Sequence, residues 1–527
     1  MLPPEPAFMD FEGLRLRIVA GDPGLVRLTL ALRAVLTILV GILLTRALPQ
    51  PHPLAATVGI YLSLLLGLMV NDPLPGRRKG TLWLCGLASI ASFSLGVGLI
   101  AWPWLSNLFF VLLAGLSHYL GKFGFRYGSL GLMSFFGFLM ARIFPVPAAG
   151  LPVMTTAILV GTALAYVLRF WWLPDRPERI LRWTYLAFQA RCQLQRRQPS
   201  VRGLARLNEA ALALDDQLRV LQAEELRRQL FQAELRLGQW TEARLTGQPE
   251  PEIESFDCPL PEVPPGTLLD VITYRGAGLP ERLGVLAAQT ILAVSLALWM
   301  GQSLAPDHWY WCAMASYMVF MQVRTLGDSL VRAFSRLAGT GMGLILGLLA
   351  GASLPLAGAL PLVAILLCLF AGYYMSRISV FWMLLFNTTA ISLLYTLLGQ
   401  DAPQLMQLRL GMTLLGSLLG SLVALLVVPV RTAQKARSQA SQVLEQILRL
   451  EDGGQLPELR AIDHLVFNLR RIGSSGSLLP MRLPETARLV RATAHLAYAS
   501  RHYMIHRDEH WRERVRRSAD EVRARLS

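Results

Sequence analysis

The sequence predicts an all-α polytopic membrane protein. It consists of two parallel-repeat six-helix transmembrane bundles, with a helical cytoplasmic insert between them and a helical C-terminal region. Three observations predict this. Hydrophobic residues make up 53% of the 527 and charged residues only 16%, against about 25% charged in soluble domains. Twelve apolar runs fall into two sets of six. One phrase occurs twice, at the matching point of each set: Arg77-x-x-Gly80-Thr81 and Arg336-x-x-Gly339-Thr340. Duplicated bundles are a common architecture of secondary transporters.

Taken in order, residues 1–24 mix prolines, acids and two arginines. They lack the basic start, apolar stretch and small-residue cleavage site of a secretory leader. We expect a cytoplasmic segment, and a first span retained as an anchor. The first bundle, 25–174, holds apolar runs near 25–46, 53–71, 80–100, 103–120, 126–144 and 151–173. Most approach the ~20 residues that cross a ~30 Å hydrocarbon layer. The insert, 175–281, shows helical periodicity over 177–198 and 201–246, read as an antiparallel pair, then a Pro-rich acidic stretch from Pro249 to Pro265. The second bundle, 282–430, repeats the six runs near 283–304, 308–323, 337–354, 357–375, 379–399 and 408–430. A C-terminal region, 431–527, is helical with expected breaks at Gly453-Gly454 and Gly473–Gly476, and its end is basic.

The halves align with an offset of about 255: Pro51 on Pro306, His118-Tyr119 on Tyr373-Tyr374, Lys122 on Arg377, Pro174 on Pro429. An even number of spans per half gives both the same orientation, with a transport path expected between them. The net charge of +15 sits in clusters against span ends, such as Arg77, Arg78 and Lys79, while the alternate loops lack Lys and Arg. By the positive-inside rule, both termini and the insert are cytoplasmic. The basic helices read as a face beside anionic lipid headgroups, with no nucleic-acid partner, because exposed aromatics are not interleaved among them. Five scattered cysteines without paired spacing suggest neither a disulfide frame nor a metal site.

Glycines 339, 343, 347 and 351 line one helical face, which serves close packing or a smooth sliding surface, and Gly416-x-x-x-Gly420 reads alike. Asp307-His308-Trp309-Tyr310-Trp311 opens the eighth span. Its aromatics suit a headgroup belt, while Asp307 and His308 are candidates for proton linkage or a solvated loop end. Ionisable residues inside spans are few: Arg33, His118, Arg142 and Arg169, with Arg46 and Arg409 at outer edges. Intramembrane charge is costly, so each is a functional candidate, although those near span ends can snorkel to water. Arg33 and His118 carry most weight as pathway residues, His118 also as a proton-linked one; Tyr373, aligned with His118, joins them. Asn387 and Thr388 line a cavity or bond neighbouring helices. No Asp or Glu falls within a predicted span core, so the sequence offers no carboxylate relay.

No enzyme constellation is visible: no His-Glu-x-x-His, no nucleophile elbow, and no phosphate loop beyond a misfit at Gly115 through Lys122. We expect no enzymatic activity, cofactor or metal.

The run from Pro306 through Trp309 and Trp311, then Gly327, Arg332 and Arg336-x-x-Gly339-Thr340-x-x-Gly343-x-x-x-Gly347, resembles the fusaric acid resistance family, which includes the aromatic acid exporters of bacterial inner membranes. The layout of six spans, insert, six spans and tail is similar too. In the first half Arg77, Gly80 and Thr81 keep the phrase, but Leu84 replaces the next glycine. The resemblance implies proton-driven export of small aromatic or amphipathic organic acids across the inner membrane. It also implies a periplasmic membrane-fusion adaptor and an outer-membrane channel as partners, with a homo-oligomer left open. An anion channel and a non-transporting membrane scaffold are the alternatives.

Overall fold

The computed structural model describes residues 11–46, 52–70, 72, 75–249, 251, 258–264, 267, 269, 283–321, 326–353, 359–397, 402–427, 432–449, 456–477, 484–506 and 508–526. Among them every regular element is a helix. In chain order these are α1 (Phe11–Gly21), α2 (Val26–Arg46), α3 (Pro53–Met69), α4 (Pro75–Gly98), α5 (Pro103–Tyr119), α6 (Phe125–Ile143) and α7 (Leu151–Val167), which runs on through a π-helical turn, Leu168–Trp172. Then come α8 (Pro177–Arg197), α9 (Val201–Val220), α10 (Glu224–Thr246), α11 (Leu283–Leu304), α12 (Trp309–Phe320), α13 (Leu326–Ser353), α14 (Leu360–Met375), α15 (Val380–Leu397) and α16 (Ala402–Leu426). The last four are α17 (Thr432–Arg449), α18 (Leu456–Ser477), α19 (Pro484–His506) and α20 (Glu509–Leu526).

Local chemistry sets many of these boundaries. Proline stands in the first turn of α3, α5, α7, α8 and α14, where its missing N–H would have had no partner. The Asp22 carboxylate accepts from Arg27 N and Leu28 N, both at 3.0 Å, and so caps α2. Gly124, at φ +112°, turns the chain between α5 and α6, a conformation side-chain-bearing residues rarely adopt.

Eight helices (α2 with its leading turn, α4, α5, α7, α11, α13, α15, α16) are long and apolar enough to cross a membrane, and α3 and α14 are shorter apolar helices. With α6 and α12 they fall on the twelve apolar runs. Two differ from expectation. The helix α12 has 12 residues, about 18 Å of rise, too short for a ~30 Å hydrocarbon layer. Eight of the twelve are buried, so protein surrounds it. The helix α13 starts at Leu326, well before the expected 337, because its opening turns carry Asp328, Arg332 and Arg336 and interrupt the apolar pattern.

Among the first six of these helices, α4 packs on α6, α3 on α7, α5 on α6 and α2 on α3. Among the last six, α13 packs on α15, α12 on α16, α14 on α15 and α11 on α12. Two seams join the sets, α5 against α11 and α2 against α14. The glycine ladder faces α15: a Cβ on Gly339 would stand 2.6 Å from the Phe381 carbonyl oxygen, and Gly343, Gly347 and Gly351 are closed off by Leu385, Ser392 and Thr396. Gly416 and Gly420 lie against α12 in the same way. Close packing by small residues substitutes here for the hydrophobic drive that lipid cannot supply.

Outside the apolar helices, α1 packs on α8, and α8–α10 form one core while α17–α20 form another. The expected antiparallel pair over 177–246 is three helices, because the chain reverses at Leu221–Ala223, where Gln222 takes a positive φ that no glycine or proline announces. The expected break at Gly473–Gly476 is absent, since α18 continues to Ser477; Gly453-Gly454 lies outside the described residues. Buried charge joins the two cores. Glu234 on α10 accepts from Asn208 (2.7 Å), Arg460 (2.8 Å) and Arg501 (2.9 Å), and Arg501 also donates to Asp463 (2.6 Å). Burial opposes ionisation of Glu234, but Arg501 and Arg460 outweigh it and bring its pKa down to about 2. Asp463 shares the same guanidiniums, yet burial prevails there and pushes its pKa up.

Candidate functional site

Six side chains from six helices, Tyr61 in the first set and five in the second, come within electrostatic range of one another. Tyr61 stands in mid-α3, Tyr310 opens α12, Arg336 lies on α13 about 15 Å from its start, and Tyr373, Tyr395 and Arg409 come from α14, α15 and α16. They form a connected electrostatic chain: Tyr61 interacts with Tyr373 and Arg336, Arg336 with Arg409, and Arg409 with Tyr395 and Tyr310. All six are half-buried. Tyr61, Arg336, Tyr373 and Arg409 are surrounded by protein yet keep accessible surface, and we take the space among the six as a candidate crevice.

The charge balance of this crevice is one-sided. Among the described residues, the ionisable neighbours that act on Arg336 are Arg409 and Tyr61, and those acting on Arg409 are two tyrosines; none of these is a carboxylate. Arg336 Nε is buried without a hydrogen-bond partner among the described residues. Two guanidiniums among apolar helices, with no described acid acting on either, form a costly arrangement that an entering anion relieves. Four tyrosines add hydroxyl donors and aromatic faces, which suit a ring carrying a negative group.

The residues singled out from sequence are distributed differently. Tyr373 belongs to the crevice. Arg33 does not face it: its guanidinium donates to the Leu173 carbonyl (3.0 Å) and pairs with Asp175 at 2.7 Å. Arg78 reaches the same carboxylate at 3.5 Å, and Asp72 accepts from the Thr81 hydroxyl at 2.7 Å. Burial raises the cost of charge at Asp175, but Arg33, Arg169 and Arg78 overcome it and hold the carboxyl below its usual range. This cluster pins the ends of α2, α4 and α7 together. Arg77 is exposed, and Gly80 has open space where a Cβ would stand. Thr81 and Thr340 are buried in both occurrences of the phrase, but only Gly339, not Gly80, is closely packed.

His118 Nδ1 lies 3.2 Å from Ser117 Oγ, which in turn meets the Tyr317 hydroxyl at 2.8 Å, so His118 sits on a polar bridge from α5 to α12. Asn387 Oδ1 packs against Gly372 and the Thr388 hydroxyl is buried, both without a hydrogen-bond partner among the described residues; these two side chains fill helix contacts. Asp307 is exposed and His308 half-buried, its ring 4.7 Å from that of Trp311. Trp309 is no headgroup anchor. It is buried at 6% exposure, edge-on to Phe110 at 5.3 Å, with Arg142 stacked over it at 5.0 Å. Arg142 does not snorkel to water but donates to Ser106 and to Asn107 Oδ1 (2.9 Å), and Asn107 exchanges amide hydrogen bonds with Gln302 across the seam at 3.2 Å.

Sequence reasoning missed Arg336, Arg409, Tyr61, Tyr310 and Tyr395 as a set. Arg336 was placed at a span end because the apolar run begins after it, and Arg409 at an outer edge. A tyrosine in mid-run at 61, and the absence of any acid to match the two arginines, were the available signals.

Residues 292–423 match the family model described as fusaric acid resistance protein-like. The match runs from within α11 to within α16 and supports the resemblance read from the Arg336 phrase. It contains Tyr310, Arg336, Tyr373, Tyr395 and Arg409, with Tyr61 alone outside it. No curated protein and no solved structure matches the chain.

Proposed function

We propose that this protein is a secondary transporter that exports small aromatic or amphipathic organic acids through the crevice between its two helix sets. The observation that carries this is the pair Arg336 and Arg409, set among four tyrosines and with no carboxylate acting on either among the described residues. The family match supports a membrane exporter of the fusaric acid resistance type. Recurrence of the same four helix pairings in each set supports a duplicated six-helix unit, 25–174 and 282–430, with 1–24, 175–281 and 431–527 outside the membrane. Basic residues beside those segments support a cytoplasmic location for them and for both termini. In this reading the anion enters from that side, is held by Arg336 and Arg409, and leaves near Tyr310. His118, on its Ser117–Tyr317 bridge, is the candidate for coupling to the proton gradient, and export continues through a periplasmic adaptor in an inner membrane.

The experiment is flux in proteoliposomes. An imposed proton gradient should drive labelled benzoate-type acids uphill. Flux that only runs down the benzoate gradient with large unitary currents makes the protein a channel. No flux of any acid, with function lost only on removal of 431–527, makes it a scaffold.

A further inference from the structure

The α9–α10 pair and the α18–α20 group enclose a cavity of about 270 Å3 outside the apolar helices. Leu204, Leu235, Val466, Ala494 and the Tyr498 ring give it a largely apolar wall, and the exposed Val201 and Leu245 mark its mouth. Three carboxylates border it, and each already has partners. Glu234 holds Arg460, Arg501 and Asn208, and Asp463 holds Arg501 and Arg460. Glu242 accepts from the Tyr498 hydroxyl at 3.0 Å and from Arg514 at 2.8 Å. Arg470 is the exception on the wall: its Nη1 is buried and has no hydrogen-bond partner among the described residues.

We propose that this cavity binds a compact organic anion with a ring-sized apolar body, its carboxylate on Arg470 and its body against Tyr498 and the aliphatic wall. An inorganic anion would leave the apolar wall unfilled. A neutral ring would leave the guanidinium unpaired, and a cation finds no carboxylate to spare. The volume lies just under the ~300–1,000 Å3 usual for drug-sized ligands, which selects small acids. Such a ligand touches both the segment after α7 and the segment after α16, so its binding strengthens the join between them. It acts there as an effector, at a place separate from the transmembrane crevice.

The test is isothermal titration of the full-length protein in detergent with sodium benzoate, using acetate and benzyl alcohol as comparators. Benzoate should bind. Arg470→Gln should weaken this binding about tenfold or more, the scale of one charged hydrogen bond. Measured in an Arg336→Gln background, where the crevice site is weakened, the same benzoate binding should persist, and Ala494→Phe should abolish it there by filling the cavity. Circular dichroism melts establish that each variant is folded. The proposal is overturned if benzoate does not bind, if acetate or benzyl alcohol binds as tightly, or if both cavity variants bind like the parent. Binding that vanishes with Arg336→Gln and survives Arg470→Gln places the anion in the crevice and also overturns it.

Discussion

Arg336→Gln removes the charge and shortens the side chain while keeping a hydrogen-bonding amide. A carboxylate about 4 Å from the guanidinium gains ~4 kcal/mol at an effective dielectric of ~20. Loss of hydration returns part of that, and hydrogen bonds to charged groups net about 1.5–3 kcal/mol. At 1.4 kcal/mol per tenfold, KM for a transported anion should rise about 10- to 150-fold. A second consequence follows from Arg409, the like-charged neighbour of Arg336. Without substrate, the variant should melt at a higher temperature than the parent, because one of two uncompensated charges is gone. Stabilisation by added benzoate at the transmembrane crevice should shrink in parallel. Initial rates in proteoliposomes against concentration give KM, and fluorescence melts with and without benzoate give the stability arm. An unchanged KM in a folded variant that melts no higher would remove the arginine pair from the account.

Gly343→Leu should separate α13 from α15, since a Cβ there would meet Thr388 Cβ at 2.9 Å; overpacking of this kind costs about 1–3 kcal/mol. Gly341→Leu, whose Cβ meets only Leu410 at 3.9 Å, is the matched control and should leave the melt unchanged. Arg501→Met strands Glu234 and Asp463 with Arg460 as their remaining arginine. It should destabilise the join between the α8–α10 and α17–α20 cores by about 3–5 kcal/mol, read as faster proteolysis after α10. Glu234 titrates below its ordinary value of 4.5, so its stabilisation is present above that pH and is lost as pH falls towards about 2. Comparing acid melts of the parent with Glu234→Gln should show that slope only in the parent. Asp175→Asn should release Arg33 and Arg78 together and loosen α2 from α7, seen as faster amide exchange in both helix ends.

The twelve apolar helices were legible because lipid demands long apolar runs, and few other pressures produce them. The start of α13 was not: periodicity counts apolar residues, and Asp328, Arg332 and Arg336 are helical but polar. That one displacement decided how the site was read, since it moved Arg336 from a span end to the interior. Arg33 misled for the opposite reason. Its position in the apolar run is deep, but a long side chain reaches Asp175, which lies 142 residues on, and no spacing rule connects the two. The turn at Gln222 was illegible because its residue type carries no turn signal. Glycine 339, 343, 347 and 351 were read as a contact face, and Phe381, Leu385, Ser392 and Thr396 supply the helix that uses it.

The two ends of the molecule are fastened by unlike materials. At one, Arg460 and Arg501 cross between the cores that follow each helix set, and breaking them strands charge away from water. At the other, Asn107 and Gln302 hold the α5–α11 seam with neutral amides, which water can replace at little loss. Parting the two sets at the Asn107–Gln302 end would therefore cost mainly the apolar contacts behind the amides, where Phe110 meets Trp309 and Arg142 lies over the indole.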